Sequence, residues 1–124
     1  LVYTEDRAGA RTEYSSEGES PIEIPLAVLV NGNSASASEI FAGAVKDYGV
    51  GTLVGTVTFG KGIVQKTYSM ADGSAVKMTT AYYYTPKGEC IHGKGIQPDV
   101  EVEPEQDSGE DVQLQKAVEI CRKK

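Results

Sequence analysis

The spacing of apolar positions changes period several times along the chain, and each change marks an element. Leu1 to Thr4 and Arg11 to Ser15 read as strand arms around the polar turn Asp6-Arg7-Ala8-Gly9, with a polar connector, Ser16 to Ser20, after them. Ile24 to Val30 then runs apolar without alternation, the pattern of a strand covered on both faces in a parallel or mixed sheet, and it ends at Asn31-Gly32-Asn33. From Ser36 the period becomes helical. Ile40, Phe41, Ala44, Val45 and Tyr48 form one apolar stripe that stops at Gly49.

Short strands follow: Thr52 to Gly55, then Val64 to Met70 after the turn Phe59-Gly60-Lys61-Gly62. Asp72-Gly73 reverses the chain, and Ala75 to Thr85 alternates with Val76, Met78, Thr80, Tyr82 and Tyr84 on one face, closing at Pro86-Lys87-Gly88. Ile96 to Val102 extends the sheet region. The acidic stretch Glu105 to Glu110 leads into a last helix with Val112, Leu114, Ala117, Val118 and Cys121 inward. Arg122-Lys123-Lys124 stand at its C-terminal end, where cations suit the helix dipole.

The 124 residues suffice for one hydrophobic core and one domain. Fourteen Gly and seven Tyr against no Trp and two Phe favour strands and turns over a helical bundle. A net charge of −6 argues against nucleic acid and anionic membranes, which are bound through clustered cations. The longest apolar run, Pro25 to Val30, is far below the roughly 20 residues of a membrane span, so the chain reads as soluble. Cys90 and Cys121 permit one disulfide, but two free, partly buried thiols are the simpler reading. The chain opens at Leu1 on strand-like residues, which is expected of a piece of something longer.

Two turns hold candidate chemistry. Asn33-Ser34-Ala35-Ser36-Ala37-Ser38-Glu39 lies where a buried strand meets a helix, so its backbone N–H groups can face a developing oxyanion, and its small alanines admit a substrate backbone. Ser36-Ala37-Ser38-Glu39 is equally a capping box. In Thr58-Phe59-Gly60-Lys61-Gly62-Ile63-Val64-Gln65 a lysine sits between glycines. Burial against Phe59, Ile63 and Val64 would make it a base, whereas exposure would make it an ordinary hairpin tip.

Other motifs fail on context. Gly55-x4-Gly60-Lys61 approaches a phosphate-binding loop, but Gly62 replaces the magnesium-binding hydroxyl and a strand follows. Ser74-Ala75-Val76-Lys77 matches S-x-x-K, yet a strand sends Ser74 and Lys77 to opposite faces. His92, the single histidine, sits in the Gly-rich Ile91-His92-Gly93-Lys94-Gly95 and lacks a G-x-S-x-G partner motif.

Taken in order, Val28-Leu29-Val30-Asn31 with Ser34-Ala35-Ser36-Ala37-Ser38-Glu39-Ile40, Thr58-Phe59-Gly60-Lys61-Gly62-x-Val64-Gln65, Thr85-Pro86-x-Gly88 and Gly95-Ile96-x-Pro98-Asp99 resemble the C-terminal processing (tail-specific) peptidases of the S41 serine protease family. The likeness covers roughly residues 1 to 103. It implies an α/β fold, a mixed sheet with packed helices akin to the ClpP and crotonase group, of which residues 1–124 would be the C-terminal part of the catalytic domain. It further implies Ser36 as nucleophile, Lys61 as general base, Gln65 as the group orienting the dyad and the Ala37 N–H as one oxyanion donor, with no metal or organic cofactor. Ser34 and Ser38 are left as turn and capping residues, and Glu39 as the cap partner.

The resemblance also sets expectations beyond these residues. The second oxyanion donor would come from a Gly-rich turn upstream of the stretch that Leu1 matches. A PDZ domain receiving polypeptide tails would lie further upstream, so this chain alone is expected to cleave little. The expected compartment is extracytoplasmic, the bacterial periplasm or cell envelope. The rival expectation is a non-catalytic module that binds peptides at a sheet edge, or exchanges strands in a homo-oligomer, with Ser36 merely capping a helix.

Overall fold

The computed structural model describes residues 1–18, 20, 23–105 and 109–123. Its strands sort by direction. β1 (Val2–Asp6), β2 (Arg11–Tyr14), β5 (Ile63–Ser69) and β6 (Ala75–Tyr84) form an antiparallel sheet in the order β2-β1-β6-β5, and β3 (Ala27–Val30), β4 (Thr52–Gly55) and β7 (Val100–Glu101) form a parallel one in the order β3-β4-β7. Parallel strands need a long crossover, and α1 (Ala37–Tyr48) supplies it between β3 and β4, which pair from Ala27↔Thr52 to Val30↔Gly55. The α/β class expected from the sequence holds, with the two strand directions in separate sheets. The polar connector and the acidic stretch fall partly on residues 19 and 106–108, outside the described residues, as does Lys124.

One apolar cluster joins the layers. Val30, Ala42, Val45, Leu53, Ile91 and Ile96 are buried together, and Leu26, Val28 and Tyr83 pack against them. Tyr83 reaches this core from β6, while Tyr84 turns to the other side and stacks on Tyr3 with ring centroids 5.1 Å apart. The final helix, α2 (Val112–Lys123), lies against β3 and β4.

The structure corrects three pattern readings. The strand expected over Ile24 to Val30 is the shorter β3, and it is not covered evenly: Val30 is buried and Val28 packs on the core, while Leu29 between them is exposed. In α1 the inward face is Glu39, Ala42, Gly43, Ala44 and Val45, with Phe41 and Tyr48 exposed. Small residues win this face because the helix approaches closely, and a Cβ built on Gly43 would stand 3.0 Å from Thr85 Cγ2. In α2 only Ala117 is buried, and Leu114 and Val118 are exposed.

Candidate active site

The sharp exit from β3 is held by its own polar groups. The Ser34 N–H donates to the Asn31 carbonyl at 2.8 Å, and the Asn31 N–H donates to Ser34 Oγ at 3.1 Å. The chain then reaches Ser36 at φ 57° and ψ −113°, the only non-glycine positive φ among the described residues. Strained backbone of this kind costs about 1–3 kcal/mol, and the surroundings must over-determine it. They do so through Glu39. Ser36 and Glu39 stand as a capping box, in which the Ser36 N–H donates to Glu39 Oε2 at 2.9 Å, and the Glu39 N–H also closes on the Ser36 carbonyl oxygen at 2.9 Å. The Ala37 N–H, at the helix's first turn, meets no acceptor among the described residues.

Glu39 is fully buried. Its Oε1 accepts from Thr58 Oγ1 and from the Gly60 N–H, both at 2.6 Å, and its Oε2 accepts from the Lys61 N–H at 2.8 Å as well as from Ser36. A carboxylate offers about four acceptor sites, and here all are taken by the serine turn and the lysine turn. The Phe59 N–H adds a direct stitch to the Ser34 carbonyl at 2.9 Å. The backbone nitrogens of Ser36 and Lys61 thus share one oxygen atom. Their separation cannot exceed those two hydrogen bonds laid end to end, within which the long lysine side chain can fold back toward the serine.

The lysine turn is backed by the loop 91–96. The Gly93 N–H donates to the Gly60 carbonyl at 2.9 Å, and Thr58 and Ile96 exchange bonds. The approach is so close that a Cβ on Gly62 would lie 2.5 Å from the His92 nitrogen, and one on Gly95, at φ 70°, would lie 2.4 Å from the Thr58 carbonyl oxygen.

The backbones of Ser36, Ala37 and Lys61 are therefore brought together, while Gln65 lies exposed on β5 just after a bulge, with Nε2 donating to Thr79 Oγ1 at 3.5 Å. The apolar wall expected around Lys61 is not built as foreseen: Phe59 is 66% exposed and Lys61 itself is exposed, with no partner for its Nζ among the described residues. His92 is exposed beside the Tyr82 ring, 5.5 Å between centroids, and no hydrogen bond among the described residues joins it to Ser36. Cys90 and Cys121 are free and half-buried. Among the described residues no cluster of metal-ligating side chains occurs, and no helix is long and apolar enough to cross a membrane.

The sequence alone did not reveal what Glu39 links, because its S-x-x-E spacing is explained locally. The available signal was a glutamate sharing a helix face with Ala42 and Gly43, where an unpaired charge could not be buried.

Comparison with known proteins finds relatives named as C-terminal processing proteases. The chain is 44% identical over 126 residues to a carboxyl-terminal-processing protease of Synechocystis, covering 97% of this chain and 30% of that one. It is 47% identical over 106 residues to a chloroplastic C-terminal processing peptidase of Tetradesmus obliquus, covering 85% of this chain and 23% of that one. Among solved structures, a photosystem II D1 C-terminal processing protease superposes with a TM-score of 0.80 at 47% identity, over 85% of this chain and 28% of that one. The chain thus spans less than a third of the length of these relatives. Residues 1–102 match Peptidase family S41, and the chain belongs to that family.

Proposed function

We propose that this chain carries the Ser/Lys dyad of a serine endopeptidase that cuts polypeptides near their C-terminal tails, with Ser36 as nucleophile and Lys61 as general base. The observation that carries the reading is the convergence of the Ser36 and Lys61 N–H groups on one buried oxygen of Glu39. Family membership and the strained backbone of Ser36 support it.

In this mechanism neutral Lys61 Nζ takes the hydroxyl proton as Ser36 Oγ bonds to the scissile carbonyl carbon. The oxyanion that forms is met by the Ala37 N–H. Collapse breaks the C–N bond, Lys61 returns the proton to the leaving amine, and an acyl-enzyme remains. Water then attacks the acyl carbon and gives a proton to Lys61, and the departing Ser36 oxygen recovers one. Gln65 is assigned the orienting role, and the bulge between Val64 and Gln65 is a device that can re-aim such a side chain. Burial of Lys61 falls to parts of the longer polypeptide or to bound substrate.

The 124-residue chain alone is proposed to cleave peptides poorly, since losing one oxyanion donor costs about 2.7–4 kcal/mol of transition-state stabilisation. A tail-binding PDZ domain elsewhere in the polypeptide and an extracytoplasmic or lumenal location complete the proposal. The bacterial and chloroplastic relatives are compatible with that location. A second reading, peptide capture by strand addition, has one observation in its favour: β5 ends its sheet and starts beside the lysine turn. Peptide cleavage by the intact natural polypeptide separates the two. Ser36→Ala should abolish cleavage and Lys61→Ala should lower it by about 100- to 10,000-fold. Cleavage kept in either variant, or absent from a folded unaltered protein, would leave the strand-addition reading.

A further inference from the structure

We propose that Thr58 is a positioning residue for the reaction: its hydroxyl fixes the Glu39 carboxylate and thereby couples the loop 91–96 to the Ser36/Lys61 pair. The inference rests on the peptidase reading for its catalytic consequence and on geometry for its structural one.

Thr58 is 5% exposed, in the segment between β4 and β5. A hydroxyl has one proton to give, and the arrangement dictates where it goes. The Ile96 N–H donates to Thr58 Oγ1 at 2.7 Å, so Oγ1 acts there as acceptor, and its proton points to Glu39 Oε1, 2.6 Å away. The Thr58 N–H returns a bond to the Ile96 carbonyl at 3.2 Å, so the pairing is reciprocal.

With Oε1 pinned by Thr58 and Gly60, the carboxylate cannot turn about its terminal bond, and Oε2 stays on the Ser36 and Lys61 N–H groups. Without the hydroxyl, the Ile96 N–H loses its buried acceptor and Glu39 loses one of its donors. The bonds from Ser36, Gly60 and Lys61 to Glu39 and from Phe59 to Ser34 still tether the two turns, but the carboxylate they share is less firmly fixed, so the turns can shift slightly relative to each other. A shift of about 1 Å in reacting groups can cost on the order of 100-fold in rate.

The test uses the intact natural polypeptide with Thr58→Ser, Thr58→Val and Thr58→Cys, its active serine counted by a fluorophosphonate probe. Thr58→Val should lower kcat per labelled serine about 10- to 100-fold with KM changed less than about twofold, and Thr58→Ser should recover most of the rate. Thr58→Cys lacks the methyl group but puts a weak donor where the hydroxyl stood, so it should follow Val rather than Ser; it replaces Val if that variant does not fold. A role in stability alone would lower the melting temperature and the folded fraction, yet leave kcat per labelled serine within about twofold of the unaltered protein, and that result overturns the proposal.

Ser36→Ala is assayed alongside: cleavage persisting there sinks the peptidase reading, not this one. Amide exchange at Gly60 and Lys61, which needs no catalysis, then decides. Exchange at least about tenfold faster in Thr58→Val than in Thr58→Ser supports the coupling, and equal protection in the two overturns it.

Discussion

Glu39 can serve both turns because of where its side chain emerges. At the third residue of α1 it sits on the inward face, one turn from Ala42 and Gly43, and its donors lie three residues away or 19 to 22 residues away. Removing the charge while keeping the shape isolates this role. Glu39→Gln should destabilise the fold by about 2–3 kcal/mol in denaturant titration, since an amide nitrogen must now face N–H groups that had a charged acceptor. Gly95 makes the complementary case, in which space rather than charge decides. Gly95→Ala places a methyl group 2.4 Å from the Thr58 carbonyl oxygen at a φ of 70°. A loss of about 1–3 kcal/mol is expected by the same measurement, with the lysine turn displaced.

At the scale of elements, the serine and lysine turns were legible because each is a local pattern: apolar strand, short polar turn, helical period for one, and a cation between glycines for the other. The inward face of α1 was not. Periodicity ranks Phe41 and Tyr48 as core, but the inward face is chosen by partners remote in sequence, Thr85 and Ile96, which close on Gly43. Likewise Gln65 lies on a predicted strand, but the register shift beside it left no mark in the alternation.

The helix α2 offers a test of charge. Glu119 takes hydrogen bonds from Lys123 and Lys116, which hold its carboxyl at about 2 instead of the ordinary 4.5. A depressed folded-state value means this support is complete above about 4.5 and is lost as pH falls toward 2. Helical circular dichroism of the natural protein should therefore decline across that window more than in Glu119→Gln. The difference should be small, since the pair is solvent-screened.

For the whole molecule, the two sheets depend on one core, so damage at its centre should be felt throughout. Leu53, fully buried on the middle strand of the parallel sheet, is the clearest position: Leu53→Ala should cost about 2–5 kcal/mol in denaturant titration and loosen the site along with the fold. The same core is what brings together segments far apart in sequence, with Ile91 and Ile96 anchoring the loop that backs the lysine turn. Pattern reading found the strands that build it but not which of them share a sheet, because pairing is decided by crossovers and contacts between distant residues.

The most direct test of the account is the reactivity of Ser36 in the natural polypeptide, read by mass-spectrometric mapping of a fluorophosphonate adduct in the unaltered protein and in Lys61→Ala. An adduct is expected on Ser36, and on neither Ser34 nor Ser38, formed about 100-fold or more slowly once Lys61 is gone. An adduct on another serine, or an equal rate without Lys61, would contradict it.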